Sequence, residues 1–169
     1  KFLKKKNVKK IYTWDDKKNK TNKKKFDLFK KILDEVDFIV ISPGINIHKT
    51  KFKLKLFRNK KKIITDLDLF YMQNIPIKSI VITGTNGKST TCKLTQHIFK
   101  NNRIDAQLGG NIGKPVLDLK IKRKSIIIIE ASSFQLAYAK FIKPNLAVVL
   151  NISSDHLDWH KTITNYKNS

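Results

Sequence analysis

The sequence predicts an α/β protein, a partial Rossmann-like domain followed by the first half of a P-loop-type α/β domain, and three observations support this. Short apolar, β-branched runs alternate along the chain with stretches of helical pattern. Two of these runs, Ile126–Ile129 and Ala147–Leu150, are wholly apolar, which is typical of parallel strands covered by helices on both faces. A third run, Ser79–Thr83, leads through a glycine-bracketed turn into a helical pattern, the order of elements found in phosphate-binding domains.

The first domain is expected over residues 1–74 and the second over residues 75–169, with Asn74-Ile75-Pro76 as the linker. The first strand of the Rossmann-like domain and the glycine turn that would follow it are expected to be missing. The elements predicted in the first domain are the strands Val8–Thr13, Phe38–Ile41 and Ile63–Thr65 and the helices Phe26–Leu33 and Leu67–Met72.

The segment Lys51–Lys60 has two interpretations. The alternation of Phe52, Leu54 and Leu56 with lysine fits a strand. Its position between two predicted strands favours a helix, because consecutive parallel strands need a crossover.

The second domain carries stronger patterns, and its elements follow one another in βα order. They are strand Ser79–Thr83, helix Ser89–Asn101, a short segment at Ala106–Leu108, helix Val116–Leu119, strand Ser125–Glu130, helix Phe134–Ala139, strand Leu146–Leu150 and a helical pattern over Ile163–Ser169.

The turn Gly84-Thr85-Asn86-Gly87 and the Lys88-Ser89-Thr90 that follows it have the layout of a phosphate-binding loop. Glycines let the backbone fold around an anion, backbone amides and the helix N-terminus face it, and the lysine adds a full charge. The hydroxyl after the lysine is placed to coordinate a phosphate-bound Mg²⁺. This loop has two residues between its glycines, whereas the usual Walker loop has four. We expect ATP binding here; the alternative is an ordinary strand-turn-helix joint with an incidental lysine.

Polar residues follow the predicted strands at one edge of the sheet, where open parallel sheets bind their ligands. Glu130 comes directly after four isoleucines, so it is either a costly buried charge or a metal ligand, and its strand-end position favours a ligand. His156, taken from the sequence alone, is either a ligand or a structural loop histidine. The other histidines, His48, His97 and His160, are interpreted as surface or packing residues.

The shortened loop resembles the ATP-binding motif of the Mur ligases, the amide-bond-forming enzymes of peptidoglycan synthesis. Three further segments agree with that family in the same order: Gly109–Pro115 is similar to its Gly-Gly-Asn-Ile-Gly-x-Pro turn, Ile126–Leu136 to the segment that carries a metal-binding glutamate, and Asn151–Asp158 to an Asn-x-x-x-Asp-His-x-Asp stretch. The resemblance covers essentially the whole chain, weakly before Phe38 and strongly from Ile77. The segment Ser-Ser-Phe-Gln-Leu resembles the corresponding segment of the family member that adds D-glutamate to UDP-N-acetylmuramoyl-L-alanine.

The resemblance implies an ATP-dependent ligase of the bacterial cytoplasm, acting in cell-wall biogenesis. Its substrates would be UDP-N-acetylmuramoyl-L-alanine and D-glutamate, joined through an acyl phosphate, and the enzyme would be a monomer. Lys88, Glu130 and His156 would be catalytic, and Ser89, Glu130 and His156 would bind Mg²⁺.

The resemblance also implies which residues contact the UDP-muramoyl substrate. Ser42-Pro43-Gly44 matches the uridine diphosphate turn of the first domain, and Asn111, Ser132 and Gln135 match contacts in the second. The family's carbamylated lysine would come immediately after Ser169, and the rest of the central domain and the C-terminal domain are expected beyond it. The fragment alone is therefore expected to lack ligase activity.

Two rival interpretations stay open at this point. A folylpolyglutamate-synthase-like ligase would use a similar loop, although that family typically follows the lysine with Gly-Ser, and Ser132–Leu136 counts against it. A non-enzymatic nucleotide- or nucleic-acid-binding module would need only the loop and a basic surface, and would leave Glu130 and His156 unexplained.

Composition bears on these alternatives. The net charge of +23 first suggests a nucleic-acid-binding protein, and residues 1–62 hold 22 Lys/Arg against 6 Asp/Glu. Few of the basic residues are arginine, on which base recognition relies, so we interpret the charge as solvated lysine and expect no specific nucleic-acid partner. The single cysteine, Cys92, excludes an internal disulfide, and no apolar run reaches the roughly 18 residues of a membrane span.

The charge interpretation leads to a prediction about DNA. If the lysines are a solvated background, DNA binding is weak, independent of sequence and lost at moderate salt, because it rests on counterion release alone. Fluorescence anisotropy with two unrelated duplexes over a salt series measures this. Tight binding to one of the two at physiological salt would favour the nucleic-acid alternative.

Overall fold

A computed structural model of the chain describes residues 2–6, 8–16, 18 and 23–169. The chain divides into two compact units, one made of Lys1–Val40 with Ile45–Ile63 and the other of Ile41–Gly44 with Ile64–Ser169. The domain boundary expected at residue 74 stays a prediction.

The first unit is built from two short α-helices and one edge of a small sheet. Helix α1 spans Lys23–Glu35, strand β1 Ile39–Val40 and helix α2 Lys53–Arg58, while Leu3–Lys6 and Lys60–Lys62 form 3₁₀ turns. Strand β1 pairs with β2, Ile63–Ile64, in a two-stranded sheet. The predicted helix at Phe26–Leu33 is confirmed and is longer than expected.

The ambiguous segment Lys51–Lys60 is a helix. Phe52 and Leu56, four residues apart, are buried, whereas Leu54 is 76% exposed; this spacing is helical, because a strand would bury every second residue. Phe52 packs into an aromatic cluster with Trp14, Phe26 and Phe29, with ring centroids 4.8–5.3 Å from its own. The context argument, rather than the alternation, is confirmed.

The predicted strand Val8–Thr13 is wrong. These residues form no strand and no bridge to any strand of the described chain. A β-strand is defined by its ladder of hydrogen bonds to a neighbour, and the apolar residues of this segment, Val8, Ile11 and Tyr12, are exposed instead of packed beside a partner strand.

The second unit is an open parallel sheet with helices on both faces, which confirms the α/β class. Its strands lie in the order β4-β5-β3-β6, and the pairs β3–β5, β3–β6 and β4–β5 are all parallel. The elements in chain order are α3 Asp66–Tyr71, β3 Lys78–Thr83, α4 Lys88–Asn101, β4 Ala106–Gly110, a 3₁₀ turn at Val116–Asp118, β5 Ile126–Glu130, α5 Ser133–Leu136, β6 Leu146–Val149, α6 Leu157–His160 and α7 Ile163–Lys167.

Each face of this sheet has its own core. On one face Ile127 and Ile129 pack with Leu67 and Phe70 of α3 and with Val116. On the other face Ile82, Ala106 and Ile128 pack against Cys92 of α4. Because successive side chains of a strand point to opposite faces, Ile127 and Ile129 serve one core and Ile128 the other, which explains why that run has no polar residue until Glu130.

Three details differ from the sequence prediction. Strand β6 is not buried on both faces: it lies at the edge of the sheet, with Leu146 53% and Val149 59% exposed. Residues Val116–Asp118 form a 3₁₀ turn instead of an α-helix. The short helix α6 follows His156, which adopts a left-handed backbone conformation (φ 50°).

None of the helices in the described part of the chain is both long and apolar enough to cross a bilayer. The longest is α4 with 14 residues, whereas a transmembrane helix needs about 20.

Within the second unit, a buried carboxylate holds helix α3 in place. Asp68 is fully buried; its Oδ2 accepts from the backbone N–H of Thr65 (2.7 Å) and from the Thr65 hydroxyl (3.1 Å) in a capping box. Its Oδ1 accepts from the backbone N–H groups of Lys140 and Phe141, each at 2.7 Å. One side chain therefore fixes the start of α3 and the segment after α5 together.

Replacing this carboxylate is predicted to destabilise the fold. Asp68→Ala leaves three backbone N–H groups without their acceptor, and each buried unsatisfied donor costs about 1–3 kcal/mol; we expect a total loss of about 2–5 kcal/mol in the free energy of unfolding. Urea denaturation measures it. Asp118→Ala, at an exposed acidic residue of the same unit, is the control and should change stability by less than about 0.5 kcal/mol. Equal effects of the two changes would contradict the assignment.

Candidate active site

The predicted phosphate loop lies at the carboxyl end of β3, as expected. Gly84 (φ 138°) and Gly87 (φ 83°) take backbone conformations that favour glycine, and Gly87 is the N-cap of α4. At Gly84 a side chain would also be crowded, because a Cβ there would lie 3.0 Å from the carbonyl oxygen of Asn151. Backbone conformation therefore favours glycine at both positions, and the close approach of Asn151 favours it additionally at Gly84.

Asn151 clamps the loop from the end of β6. Its carbonyl accepts from the backbone N–H of Thr85 (3.0 Å), its side-chain oxygen accepts from the N–H of Asn86 (2.9 Å), and its Nδ2 donates to the Asn86 carbonyl (3.0 Å). Sequence analysis placed Asn151 at a strand end without giving it a role. The backbone N–H groups of Thr85 and Asn86 already donate to Asn151. The N–H groups that remain for an anion are those at the start of α4.

The two side chains that open α4 point in different directions. Lys88 folds back over the loop, and its Nζ donates to the carbonyls of Gly84 (2.6 Å) and Thr85 (2.8 Å). Ser89 turns toward β5 and donates from Oγ to Oε2 of Glu130 (2.7 Å). The loop thus holds a cation over its own backbone and a hydroxyl against a carboxylate.

Glu130 is the centre of the hydrogen-bonded group. It ends β5 and is only 1% exposed. Its Oε1 accepts from Nδ2 of Asn111 (2.8 Å), and its backbone carbonyl accepts from the Asn111 N–H (2.8 Å). The structure therefore brings Ser89, Glu130 and Asn111 together from three different strand ends.

Asn111 reaches Glu130 because the chain turns sharply after β4. Gly110 has a φ of 106°, and a Cβ there would lie 2.3 Å from the Glu130 carbonyl oxygen. Only glycine allows this approach without displacing the backbone.

A cavity of about 110 Å³ opens beside this group. His156 lies on it with Asp155, and the two are joined by a 3.5 Å contact between His156 Nε2 and Asp155 Oδ2. The residues that line it are Gly84, Lys88, Asn111, Ser132, Ser133, Phe134, Asp155, His156 and Tyr166. A larger cavity of about 510 Å³ lies at the start of β3, where its lining carries neither a carboxylate nor the phosphate loop.

The predicted metal ligands are partly assembled. Ser89 and Glu130 are in contact, and His156 lines the cavity that Lys88 and Gly84 share. Among the described residues, no group of three or more His, Cys, Asp or Glu side chains is arranged to hold a metal ion. The serine and carboxylate oxygens are nevertheless the donor type that suits Mg²⁺, which keeps several water or phosphate ligands of its own.

Ser132 and Gln135 form a capping box at the start of α5. The Ser132 hydroxyl accepts from the Gln135 N–H (3.3 Å), and Oε1 of Gln135 accepts from the Ser132 N–H (3.1 Å). Ser132 lines the cavity, whereas Gln135 is 2% exposed and turns its Nε2 to the carboxylate of Asp66 (3.1 and 3.2 Å).

The turn Ser42-Pro43-Gly44 is exposed, with Gly44 at φ 86°. The Gly44 carbonyl accepts from the indole N–H of Trp159 in α6 (3.1 Å). None of the three turn residues lines the cavity beside Glu130.

His160 packs beside the site, in line with its interpretation as a surface or packing residue, and it is not among the residues that line the cavity. It is buried, its Nε2 is 2.9 Å from the Ser133 hydroxyl, and its ring stacks on Phe134 and meets Tyr166 edge-on. Burial lowers the pKa of its imidazole, and the neighbouring His156 lowers it further.

A parallel α/β sheet with a glycine loop, a lysine and a buried carboxylate at adjacent strand ends defines a phosphate-loop nucleotide-binding protein. The comparisons give the family. A sequence profile described as the Mur ligase middle domain matches residues 82–169, more than half of the 169 residues. The chain belongs to the Mur ligase family.

Individual relatives agree with the profile. The chain is 44% identical over 132 residues to the UDP-N-acetylmuramoylalanine--D-glutamate ligase of Rickettsia felis, covering 78% of this chain and 29% of that protein. It is 38% identical over 160 residues to the enzyme of the same name from Aquifex aeolicus, covering 94% and 37%. A MurF ligase from Thermotoga maritima in complex with ADP superposes with a TM-score of 0.48 and 19% identity, over 80% of this chain and 40% of that one. The chain spans about a third of the length of the curated relatives it matches.

The environment of Cys92 gives a prediction about thiol chemistry. The thiol is fully buried in α4, and burial, with a smaller contribution from the charge of Glu130, raises its pKa from 9.0 to about 12. The thiolate is the reactive form, so at pH 9 the native thiol should react with iodoacetamide at least about a hundredfold more slowly than the unfolded one. Mass spectrometry of the Cys92 peptide, with urea-unfolded protein as reference, measures this. Because the folded pKa is the higher one, the stability that the neutral thiol contributes is present below pH 9 and is lost as the pH rises toward 12.

Fast native alkylation at pH 9 would mean that Cys92 is accessible and that α4 does not pack on β5 as described.

Proposed function

We propose that the complete protein is an ATP-dependent ligase that adds D-glutamate to UDP-N-acetylmuramoyl-L-alanine in peptidoglycan synthesis. The single observation that carries the proposal is the junction of Ser89, Glu130 and Asn111, which puts a phosphate loop and a polar substrate wall on one cavity. The names of the Rickettsia felis and Aquifex aeolicus relatives support the choice of substrates.

The phosphate side of the reaction falls to the loop. ATP would lie on the N-terminus of α4, where the first-turn amides and Lys88 face its phosphates. Lys88 would exchange its bonds to the Gly84 and Thr85 carbonyls for phosphate oxygens. A carboxylate oxygen of the muramoyl substrate would attack the γ-phosphorus and ADP would leave; the amine of D-glutamate would then attack the acyl carbon and phosphate would leave. Such transfers depend on positioning and charge neutralisation more than on covalent protein chemistry.

Ser89 and Glu130 would hold Mg²⁺, and His156 would serve a second ion at the cavity. When bound, Mg²⁺ neutralises negative charge on the phosphoryl group that is being transferred. The buried position of Glu130 fits this use, because a carboxylate with only two neutral hydrogen-bond donors keeps acceptor capacity for a cation.

The substrate side falls to the wall opposite the loop. Asn111 and Ser132 line the cavity and would contact the muramoyl portion. Ser42-Pro43-Gly44 would bind the uridine diphosphate through its backbone. The enzyme would be a cytoplasmic monomer without a specific nucleic-acid partner.

The experiment uses the full-length natural protein. We expect phosphate release with ATP, UDP-N-acetylmuramoyl-L-alanine and D-glutamate. We expect none when L-lysine or diaminopimelate replaces D-glutamate, or when folate with glutamate replaces both substrates. Lys88→Ala should abolish most of the activity and most of the ATP affinity measured by calorimetry, because it removes the charge that faces the phosphates. Lys93→Ala, at an exposed lysine of the same helix, is the matched control and should behave like the wild type.

Release with folate but not with the muramoyl substrate would overturn the proposed substrate class. Release with the muramoyl substrate only when a different amino acid is present would keep the family and change the amino-acid specificity. Unchanged ATP affinity in Lys88→Ala would refute the loop assignment.

A further inference from the structure

The amide of Gln135 uses both of its ends inside the protein. Its Oε1 accepts from the Ser132 N–H and from the Ser132 hydroxyl (3.1 and 3.2 Å). Its Nε2 donates to Asp66 (3.1 and 3.2 Å to the two carboxylate oxygens). The side chain is almost fully buried, so it stands behind the cavity wall.

Asp66 and the Ser132 N–H together decide which way this amide points. The two ends of a glutamine amide have nearly the same shape, and the hydrogen-bond partners determine which end is oxygen. An ionised carboxylate only accepts hydrogen bonds. The NH₂ group must therefore face Asp66, and the carbonyl oxygen must face Ser132.

The orientation of the amide fixes the polarity of the Ser132 hydroxyl in turn. A hydroxyl has one proton and two lone pairs. The proton goes to Oε1 of Gln135, and one lone pair accepts from the Gln135 backbone N–H (3.3 Å). Within the described part of the chain, one lone pair is left, on a residue that lines the cavity beside Lys88 and Asn111.

We propose that Asp66 is a positioning residue that, through Gln135, presents the Ser132 hydroxyl to the cavity as a hydrogen-bond acceptor. The site then selects a substrate group that donates, an amide N–H or a sugar hydroxyl, and disfavours an acceptor such as a carboxylate or a carbonyl at that position. A substrate acceptor at this position would place its lone pair against the lone pair of Ser132 and would lose its hydration. Leaving polar groups unpaired in this way discriminates between ligands more strongly than the gain of one hydrogen bond does. The inference rests on the proposed function for the identity of the substrate, and on the hydrogen bonds alone for the polarity.

Asp66 lies outside the stretch that the family profile matches, which begins at residue 82. It is the first residue of α3, and the Thr65–Asp68 capping box holds that helix in place. Its role therefore comes from the spatial arrangement, in which residues 69 positions apart meet.

The first test is steady-state kinetics on the full-length protein. Asp66→Ala should raise the KM for the UDP-linked substrate about two- to tenfold, the value of one net hydrogen bond, with kcat and the KM for ATP within about twofold of wild type. Asp66→Asn should stay close to wild type, because its side-chain oxygen still accepts from Nε2. Ser132→Ala should raise the same KM, and Asp66→Ala should add nothing to it, because both changes remove one interaction.

Multiplying effects in the double variant, an unchanged KM in Asp66→Ala, or an equal rise in the KM for ATP would each overturn the inference. Equal melting temperatures of Asp66→Ala and Asp66→Asn would show that the kinetic difference between them does not come from unfolding.

The second test needs no turnover. In ¹⁵N-glutamine-labelled full-length protein the Gln135 NH₂ signals, identified by their loss in Gln135→Glu, should be protected from solvent exchange in the wild type and in Asp66→Asn and exposed in Asp66→Ala. Protection without activity on the muramoyl substrate would reject the proposed function and keep the polarity. Activity with equal exchange in all variants would reject the polarity and keep the function.

Discussion

A buried carboxylate at the end of β5 is the constraint on which the candidate site depends. Burying a charge is costly unless it is hydrogen-bonded or paired, and Glu130 is 1% exposed. Its partners are Ser89, from the helix after β3, and Asn111, from the turn after β4. The carboxylate therefore holds both elements against the central strand, and the backbone of Gly110 passes close to the backbone carbonyl of Glu130. A substitution at any one of these positions leaves a buried acceptor unsatisfied or forces the strand ends apart.

The fourth strand end is tied in through the loop instead of through the carboxylate. Asn151, just after β6, makes three hydrogen bonds with Thr85 and Asn86. The Thr85 hydroxyl in turn lies 2.8 Å from the Tyr166 hydroxyl of α7. The loop is thus held by backbone and side-chain contacts from the segment that also carries His156. This explains how a loop with only two residues between its glycines keeps a fixed shape: its rigidity comes from the neighbouring strand end.

The sequence predicted what depends on local pattern and failed where sequence separation is long. The buried strand β5, the phosphate loop and the position of Glu130 follow from four isoleucines, two glycines and a strand end, all visible within a short window. The exposure of β6 could not be seen, because an apolar strand has the same pattern at the centre and at the edge of a sheet, and strand order is a long-range property. The same limit applies to Val8–Thr13, a short segment with two lysines that pairs with no strand in the described part of the chain. The burial of His160 depends on α5 and α7, and Gln135 meets Asp66 across 69 positions of sequence, so neither contact is visible within a short window.

The range matched by the family profile is shorter than the compact unit of the structure. The residues outside that range help to hold the site in place. The match begins at residue 82, inside β3, yet half a strand cannot hold its register with β5 and β6. Upstream of it, Leu67 and Phe70 fill the same core as Ile127 and Ile129. The carboxylate of Asp66 holds Gln135 of α5, and that of Asp68 holds the segment after α5. Helix α3 is therefore part of the scaffold that positions the cavity wall. The segment upstream of the matched range thus contributes apolar side chains and two carboxylates to the scaffold of the site.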